Sequence, residues 1–516
     1  MPGEFLRGNL IRSTALFIFI FVVLVAAHWP VLRLLYFWDE AGYYIPAAYD
    51  IFSSGSFIPH STLSNAHPPL VMLYLATAWK LFGYAPVVTR NAMLLVAALA
   101  LTGVFALARH VANRSVAAAS VLCTALYPVF FAQSSLAHLD LAAAAFTVWG
   151  IFFYLKRQRW LFLAAFTAAV LAKETAIITP IALYVWEALR KSERIPAAPF
   201  FRRAAASLWL LLPALPLAAW FAYHRARTGY AFGNPYFLTY NVATTLQPGR
   251  IIFAFIRRVW QLAGHMNLYA LTLATGLAMF LPPHSDAGVP RNRIALPHQF
   301  LFAVVMAAHA VVFSLIGGAV LARYMLPAIP LVIIICVSTI WRRIPAWPVV
   351  IALVCGIFVA GVFINPPYVF APEDNLAYRD YVALHQQAAQ MIDEKFPKAR
   401  ILTAWPAADE FSKPFLGYVS TPHTILRLEN FTMENLEAAN QSAEFDMAVI
   451  FSSKYQPAHR LPAPEFWKRA QVRFFEDHPD TPPELAAQIL GGSVVWKANR
   501  GGQWIAIIAI PQIRNA

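Results

Sequence analysis

The chain has 516 residues, 59% hydrophobic and 13% charged, with a formal net charge of +14 and a mean hydropathy of +0.54. Soluble domains are about 45–50% apolar and about 25% charged, so a water-soluble globule is excluded: no such fold hides this much apolar surface. The basic excess falls in short clusters between apolar runs, a pattern that points to anionic lipid headgroups rather than nucleic acid as partner.

Apolar runs near the 20 residues needed to cross a bilayer recur between residues 13 and 364. They predict spans at 13–31, 91–109, 115–132, 139–155, 160–173, 175–189, 206–224, 264–281, 299–318, 324–340 and 346–364. Arg7 and Arg12 precede the first run as in a signal peptide, but no small-residue cleavage site follows, so it reads as a retained helix. The stretch 68–83 opens on two prolines, carries Lys80 and is short for a span. Parity assigns it to the interface. With a cytoplasmic start and 68–83 not crossing, the clusters Lys156/Arg157/Arg159, Arg190/Lys191/Arg194 and Arg342/Arg343 all face the cytoplasm. An outer loop at 32–90 then carries interfacial helices at 68–83 and 42–54. The outer loop 225–258, with five arginines, runs against this pattern.

After Pro366 charged residues become common and no segment is long enough to span. "DYVALHQQAAQMIDEKF" reads as an amphipathic helix, "ARILTAW" and "FDMAVIFSS" as strands, and "SVVWKA" with "WIAIIAI" as a closing pair. The expected organisation is a polytopic α-helical membrane module of about eleven helices over 1–365. An extracytoplasmic α/β domain follows over 366–516. Cys123, Cys336 and Cys355 lie inside apolar runs and read as packing residues.

The informative residues are charges at the ends of apolar helices, where charge is costly and tends to be kept for function. Asp39 and Glu40 follow the first span, His67 precedes the interfacial stretch, and His138 and Asp140 open a helix. Lys173 and Glu174 occupy a tight turn, and Arg323 and Tyr324 begin another span. In this topology all fall on the outer face. There cations would hold a phosphate and a carboxylate would accept a proton from an attacking group. Each also has a plainer reading: Asp140 as an N-cap, Lys173 as a snorkelling cation or a partner of Glu174, Arg323 as an interface anchor. The same holds for His67 as a loop residue and Asp39/Glu40 as solvated charges. Agreement across five segments is what favours a site.

"FWDEAGYY", "HPPL", "AQSSLAHLD", "LAKETA" and "RYMLP", in this order, resemble the family 39 membrane glycosyltransferases of the GT-C class. That group includes protein O-mannosyltransferases and lipid A aminoarabinose transferases. The resemblance covers residues 1–340. It implies transfer of one sugar from a polyprenyl-phosphate carrier to an acceptor glycan, lipid or protein, at the extracytoplasmic face of the inner membrane, with inversion. Asp39 would be the general base and Glu40 its support. Lys173, Arg323, Tyr324, His67, Asp140 and His138 would contact the donor, with no cofactor and no metal favoured. His67 stands where the aminoarabinose branch has lysine. Ser135 stands where the mannosyltransferases have arginine, and His138 is the candidate substitute.

Two other classes fit a polytopic chain. A lipid or glycan transporter would show internal repeats and midplane charges, and neither is visible. A scaffold would depend wholly on residues 370–516, whereas a transferase would keep its donor site without them.

Overall fold

The computed structural model describes residues 2–190, 199–442, 444–457, 464–475 and 480–511; Lys191 and Arg194 of the basic clusters lie outside them. The membrane part is helical. In chain order it contains α1 (Pro2–His28), α2 (Ile45–Ser54), α3 (Leu70–Phe82), α4 (Pro86–Val111), α5 (Arg114–Leu126) and α6 (Pro128–Gln133). Next come α7 (Leu139–Leu155), α8 (Arg159–Ala172), α9 (Ile178–Leu189), α10 (Phe200–Ser207) and α11 (Ala214–Thr228). The set closes with α12 (Pro235–Asn241), α13 (Pro248–Ala263), α14 (Leu268–Met279), α15 (Leu296–Leu315), α16 (Ile329–Arg343) and α17 (Trp347–Phe363). A two-stranded ribbon, β1 (Ser285–Asp286) with β2 (Val289–Pro290), lies between α14 and α15.

Every predicted span coincides with helix, but several helices, α5, α9, α14 and α16 among them, are shorter than the apolar runs. Among the described residues three are long and apolar enough to cross a membrane: Ser13–Val31, α4 and α15. A fourth span results if α10 and α11, bent by 55° at Pro213, count as one. The shortfall has a local cause. Several runs begin in a 3₁₀ turn that precedes the α-helix proper: Glu174–Ile177 before α9, His265–Asn267 before α14 and Ala322–Met325 before α16. The run 115–132 instead divides into α5 and α6 at Tyr127–Pro128, a proline at the first helical position starting the second piece. Helix α3 has 13 residues, a rise of about 20 Å against a hydrocarbon core of about 30 Å. The stretch 225–258 between the predicted spans is largely helical, supplying α12 and most of α13. Helix α7 packs between α4 and α8, α15 lies between α9 and α13, and α16 packs on α5 and α14.

Beyond α17 the chain forms α18 (Tyr378–Lys395), β3 (Arg400–Ala404), α19 (Ala407–Ser412), β4 (Thr424–Leu428), α20 (Met433–Ser442) and β5 (Met447–Phe451). It ends with α21 (Glu465–Phe475), α22 (Pro483–Ile489), β6 (Ser493–Arg500) and β7 (Gln503–Ala509). The five strands make one mixed sheet in the order β4-β3-β5-β7-β6, with β3 parallel to β4 and β5, and β7 antiparallel to β5 and β6. All five residues of β5 are buried, as a central strand covered on both faces requires. The predicted amphipathic helix, both single strands and the closing pair correspond to α18, β3, β5 and β6–β7.

This sheet layer packs directly on the loop after α1. Tyr418 Oη donates to the Tyr36 carbonyl at 2.9 Å, Tyr84 Oη donates to the Phe415 carbonyl at 2.7 Å, and Tyr49 stacks on Phe415 at 4.2 Å. Trp38, at φ +45°, sets its indole edge-on to Trp405 at 5.6 Å and to Phe451 at 6.3 Å. Positive φ is strained for such a residue, and the aromatic cage holds it there. One buried apolar cluster runs without interruption from Ile20 to Ile508.

Gly42 closes this contact, because a Cβ there would overlap the Trp405 indole. Gly42→Ala therefore loses about 1–3 kcal/mol of stability through overpacking. A lowered thermal-melting midpoint of the purified protein checks this.

Candidate active site

The site residues cluster around one guanidinium. Arg323, in the 3₁₀ turn ahead of α16, is 1% exposed. Its Nη2 donates to Asp39 Oδ2, its Nη1 donates to Glu373 Oε2 at 2.6 Å, and its Nε lies 3.3 Å from Asp140 Oδ2. Asp140, in the first turn of α7, does not cap that helix. Its Oδ1 instead accepts from Lys173 Nζ at 2.6 Å. The ammonium of Lys173 also lies 4.2 Å from the centre of the Tyr324 ring, a cation–π contact. Residues from four distant segments, 39, 140–173, 323 and 373, thus form one ion cluster.

The pair that opens the outer loop divides its labour. Asp39 keeps 17% of its side chain exposed and lines the cavity described below. Glu40 is fully buried and belongs to a second cluster. One oxygen accepts from Arg90 Nη1 and from the Ala137 N–H at 2.5 Å. The other accepts from Arg90 Nη2 at 3.0 Å and from the Phe37 N–H at 2.9 Å. Arg90 donates in addition to the Leu35 and Ser135 carbonyls at 2.6 and 2.9 Å. Glu40 therefore ties the turn carrying Asp39 to the 134–138 loop carrying His138. The intervening Glu40–Tyr44 segment is a single π turn, a rare element that recurs at functional sites.

His138 is buried against Arg323, whose Nη1 lies 3.0 Å from His138 Nδ1, and that nitrogen lies 2.8 Å from Gln133 Oε1. Ser135 Oγ lies 3.2 Å from Tyr378 Oη. His67 Nδ1 meets Glu174 Oε2 at 2.8 Å. The plainer readings of Lys173 and Glu174 as a mutual pair therefore give way to two separate pairings, Lys173–Asp140 and His67–Glu174.

A large cavity of 2480 Å³ reaches this cluster, well above the 300–1,000 Å³ of a small-ligand pocket. Its polar floor includes Asp39, His67, Lys173, Glu174, Tyr324 and Glu373. Apolar side chains of α9 and α15, among them Ile178, Ile181, Val185, Val304 and Val312, form one wall. Arg250 and Arg257 of α13 and Lys454, Lys468 and Arg473 of the sheet layer form another part. Arg323, Asp140, His138 and Glu40 do not line the cavity; they lie in the layer beneath it.

Sequence reasoning missed Glu373. It lies in the turn Pro372–Asp374, outside the membrane helices, and is 2% exposed. Burial pushes its carboxyl up to about 8, against the pull of Arg323 and helped by Asp39, Asp374 and Asp140. The neighbouring Asp374 bonds His265 Nε2 at 2.8 Å. Deleting residues 370–516 would strip Glu373 from Arg323, so that truncation does not separate a transferase from a scaffold.

A model of the dolichyl-phosphate-mannose-protein mannosyltransferase family matches residues 66–220. No curated protein sequence matches the chain. ArnT from Cupriavidus metallidurans bound to undecaprenyl phosphate aligns at TM-score 0.57 and 15% identity, over 97% of this chain and 98% of that one. Its apo state aligns at TM-score 0.54 with the same identity and coverage. Archaeal oligosaccharyltransferase AglB from Archaeoglobus fulgidus, in complex with an inhibitory peptide and a dolichol-phosphate, aligns at 0.45 and 11% identity, over 85% and 69%. Residues 66–220 are thus similar to that mannosyltransferase family, and the chain as a whole shares the fold of ArnT.

The two acids respond differently to neutralisation. Glu40→Gln leaves Arg90 buried without its counter-charge and costs about 3–5 kcal/mol. Asp39→Asn, at the cavity edge, costs far less. Thermal unfolding of the two variants in one detergent checks the order.

Proposed function

We propose that the protein transfers a single sugar from a polyprenyl-phosphate donor to an acceptor hydroxyl, with inversion, at the extracytoplasmic face of the inner membrane. The observation that carries the reading is Asp39: a carboxylate at the cavity surface, oriented by Arg323 from below, on the same floor as Lys173 and at the foot of an apolar wall. That wall suits a lipid carrier, and ArnT is a protein of the same fold that was solved with undecaprenyl phosphate.

In the proposed step Asp39 takes the proton of the acceptor hydroxyl as its oxygen forms a bond to the anomeric carbon. The bond from that carbon to the phosphate oxygen breaks, and its electron pair leaves with the polyprenyl phosphate. Lys173, held by Asp140 and seated on Tyr324, receives the phosphate charge. His67, fixed by Glu174, reaches the sugar or phosphate from the other side of the floor. Arg323, Asp140 and His138 set the positions of these groups, and Glu40 sets the turn that carries Asp39. An electropositive contact at the site of developing charge is worth most where water is excluded.

The step uses no metal. Asp39, Asp140 and Glu373 converge on the Arg323 guanidinium, which takes the place a divalent cation would need. Transfer therefore proceeds undiminished in EDTA, and a loss of turnover restored by Mg²⁺ or Mn²⁺ would show otherwise.

Asp39→Asn removes the base and lowers turnover by about 10²–10⁴-fold while the melting midpoint stays near that of the parent. The assay is mass spectrometry of glycans, glycolipids and glycoproteins from a deletion strain complemented with each form. One sugar should be missing from the deletion and from the Asn strain. An Asn strain that restores the sugar in full would remove Asp39 from the role of base.

A further inference from the structure

The two oxygens of Glu373 have different surroundings, and of the cluster's carboxylates with a buried, unbonded oxygen, Asp140 and Glu373, it is the one that lines the cavity. Oε2 accepts from Arg323 Nη1 at 2.6 Å, whereas Oε1 is buried with no hydrogen-bond partner among the described residues. The residue lines the cavity, so its unpartnered oxygen belongs to a group on the wall of the proposed donor site. Charged and titratable groups surround it; Tyr44 lies near Arg323, and the buried Arg258 of α13 sits 5.4 Å from the Tyr324 ring. Arg323 and Asp39 lie beside it, Asp140 across Arg323, and His138 Nδ1 at 3.8 Å from Oε2. Asp374, next in the chain, is taken by His265, and Gln133 Nε2 donates to the Glu373 carbonyl at 3.1 Å.

Counting charge around Arg323 leaves an imbalance. Two cations, Arg323 and Lys173, face three carboxylates, Asp39, Asp140 and Glu373. A buried carboxylate in excess of its counter-ions takes up a proton rather than remain charged. Asp140 touches both cations and Asp39 retains contact with solvent, so Glu373 is the group left to carry the proton. Its upward displacement to about 8, caused mainly by burial, agrees in direction.

We propose that Glu373 is a donor-binding residue held as a neutral carboxyl, whose free oxygen carries a hydrogen that it donates to a phosphate oxygen of the lipid-linked sugar. The inference rests on the reading of the cavity as the donor site. It gives that site two properties at once: a cluster without net charge when the anion arrives, and a hydrogen-bond donor facing it. Ionisation of Glu373 removes the donor and adds a repelling charge beside the phosphate. The proton stays on Glu373 throughout, so no further acid or base is required.

The test is binding of a short-chain polyprenyl phosphate to the full-length protein in nanodiscs, measured between pH 7 and pH 9. Over that range the phosphate, with a second ionisation near about 6, hardly changes its own charge. If only the protonated form binds, a carboxyl titrating near 8 weakens wild-type affinity about tenfold over the window. Glu373→Gln, neutral and still a donor, should bind close to wild type at pH 7 and show no such slope. Glu373→Ala should bind more weakly at both ends. A flat wild-type profile, a Gln variant that weakens in parallel with wild type, or an Ala variant that binds as wild type does would each overturn the role of Glu373. Absence of binding by wild type at every pH would instead overturn the donor-site reading itself. Size-exclusion profiles verify that each variant is folded, and the wild-type slope alone keeps the test decisive if a variant is not.

Discussion

The structure turns on the buried guanidinium of Arg323 and the three carboxylates gathered on it. A cation taken out of water is costly unless its counter-charges arrive with good geometry. Here its carboxyl partners come from positions 39, 140 and 373, so the loop after α1, the start of α7 and the segment after α17 must all reach the start of α16 together. The Glu40–Arg90 pair fixes the same neighbourhood from behind, tying residues 34–40 to 135–137. Removing Glu40 strands the buried charge of Arg90. The two ion networks therefore specify the arrangement of the outer ends of the helices more than apolar packing does, since apolar helix faces can slide at modest cost.

This arrangement also separates orientation from contact. Only Asp39, Lys173, Glu373 and Tyr324 of the Arg323 cluster reach the cavity; Arg323, Asp140 and His138 work from the layer beneath. A reacting group supported in this way can be held in place without the support competing for the ligand. The cavity itself has two characters. Its α9–α15 wall is apolar and fits a hydrocarbon chain. The wall formed by α13 and the sheet layer is cationic, with Arg250 donating to the Gly317 and Gly318 carbonyls and packing near Phe475.

Much of this was legible in the sequence, and the gaps have physical causes. Apolar runs located the helices because burial in lipid or protein demands them. They overstated helix length because a 3₁₀ first turn is as apolar as the α-helix it precedes. Helix α13 has no apolar run to mark it, since Arg250, Arg257 and Arg258 interrupt its hydrophobicity. They lie at spacings that share one helix face, and Arg258 is buried, donating to the Phe313 and Leu321 carbonyls. Asp39, Asp140, Lys173 and Arg323 stood out because charge beside apolar helices is rare. Glu373 did not: in "FAPEDNLAYRD" a carboxylate among polar residues is ordinary, and only the fold brings it beneath the outer loop. Glu40 was legible as a partner of Asp39, but its own partner Arg90 lay outside every charged motif.

The most direct measurement of the central claim is a structure of the protein in nanodiscs with polyprenyl phosphate bound. The phosphate should lie against Lys173 and Tyr324, with the chain running along α9 and α15 and Asp39 facing the open side of the floor. A phosphate held instead by Arg250 and Arg257, away from Lys173 and with no ligand beside Asp39, would contradict the account.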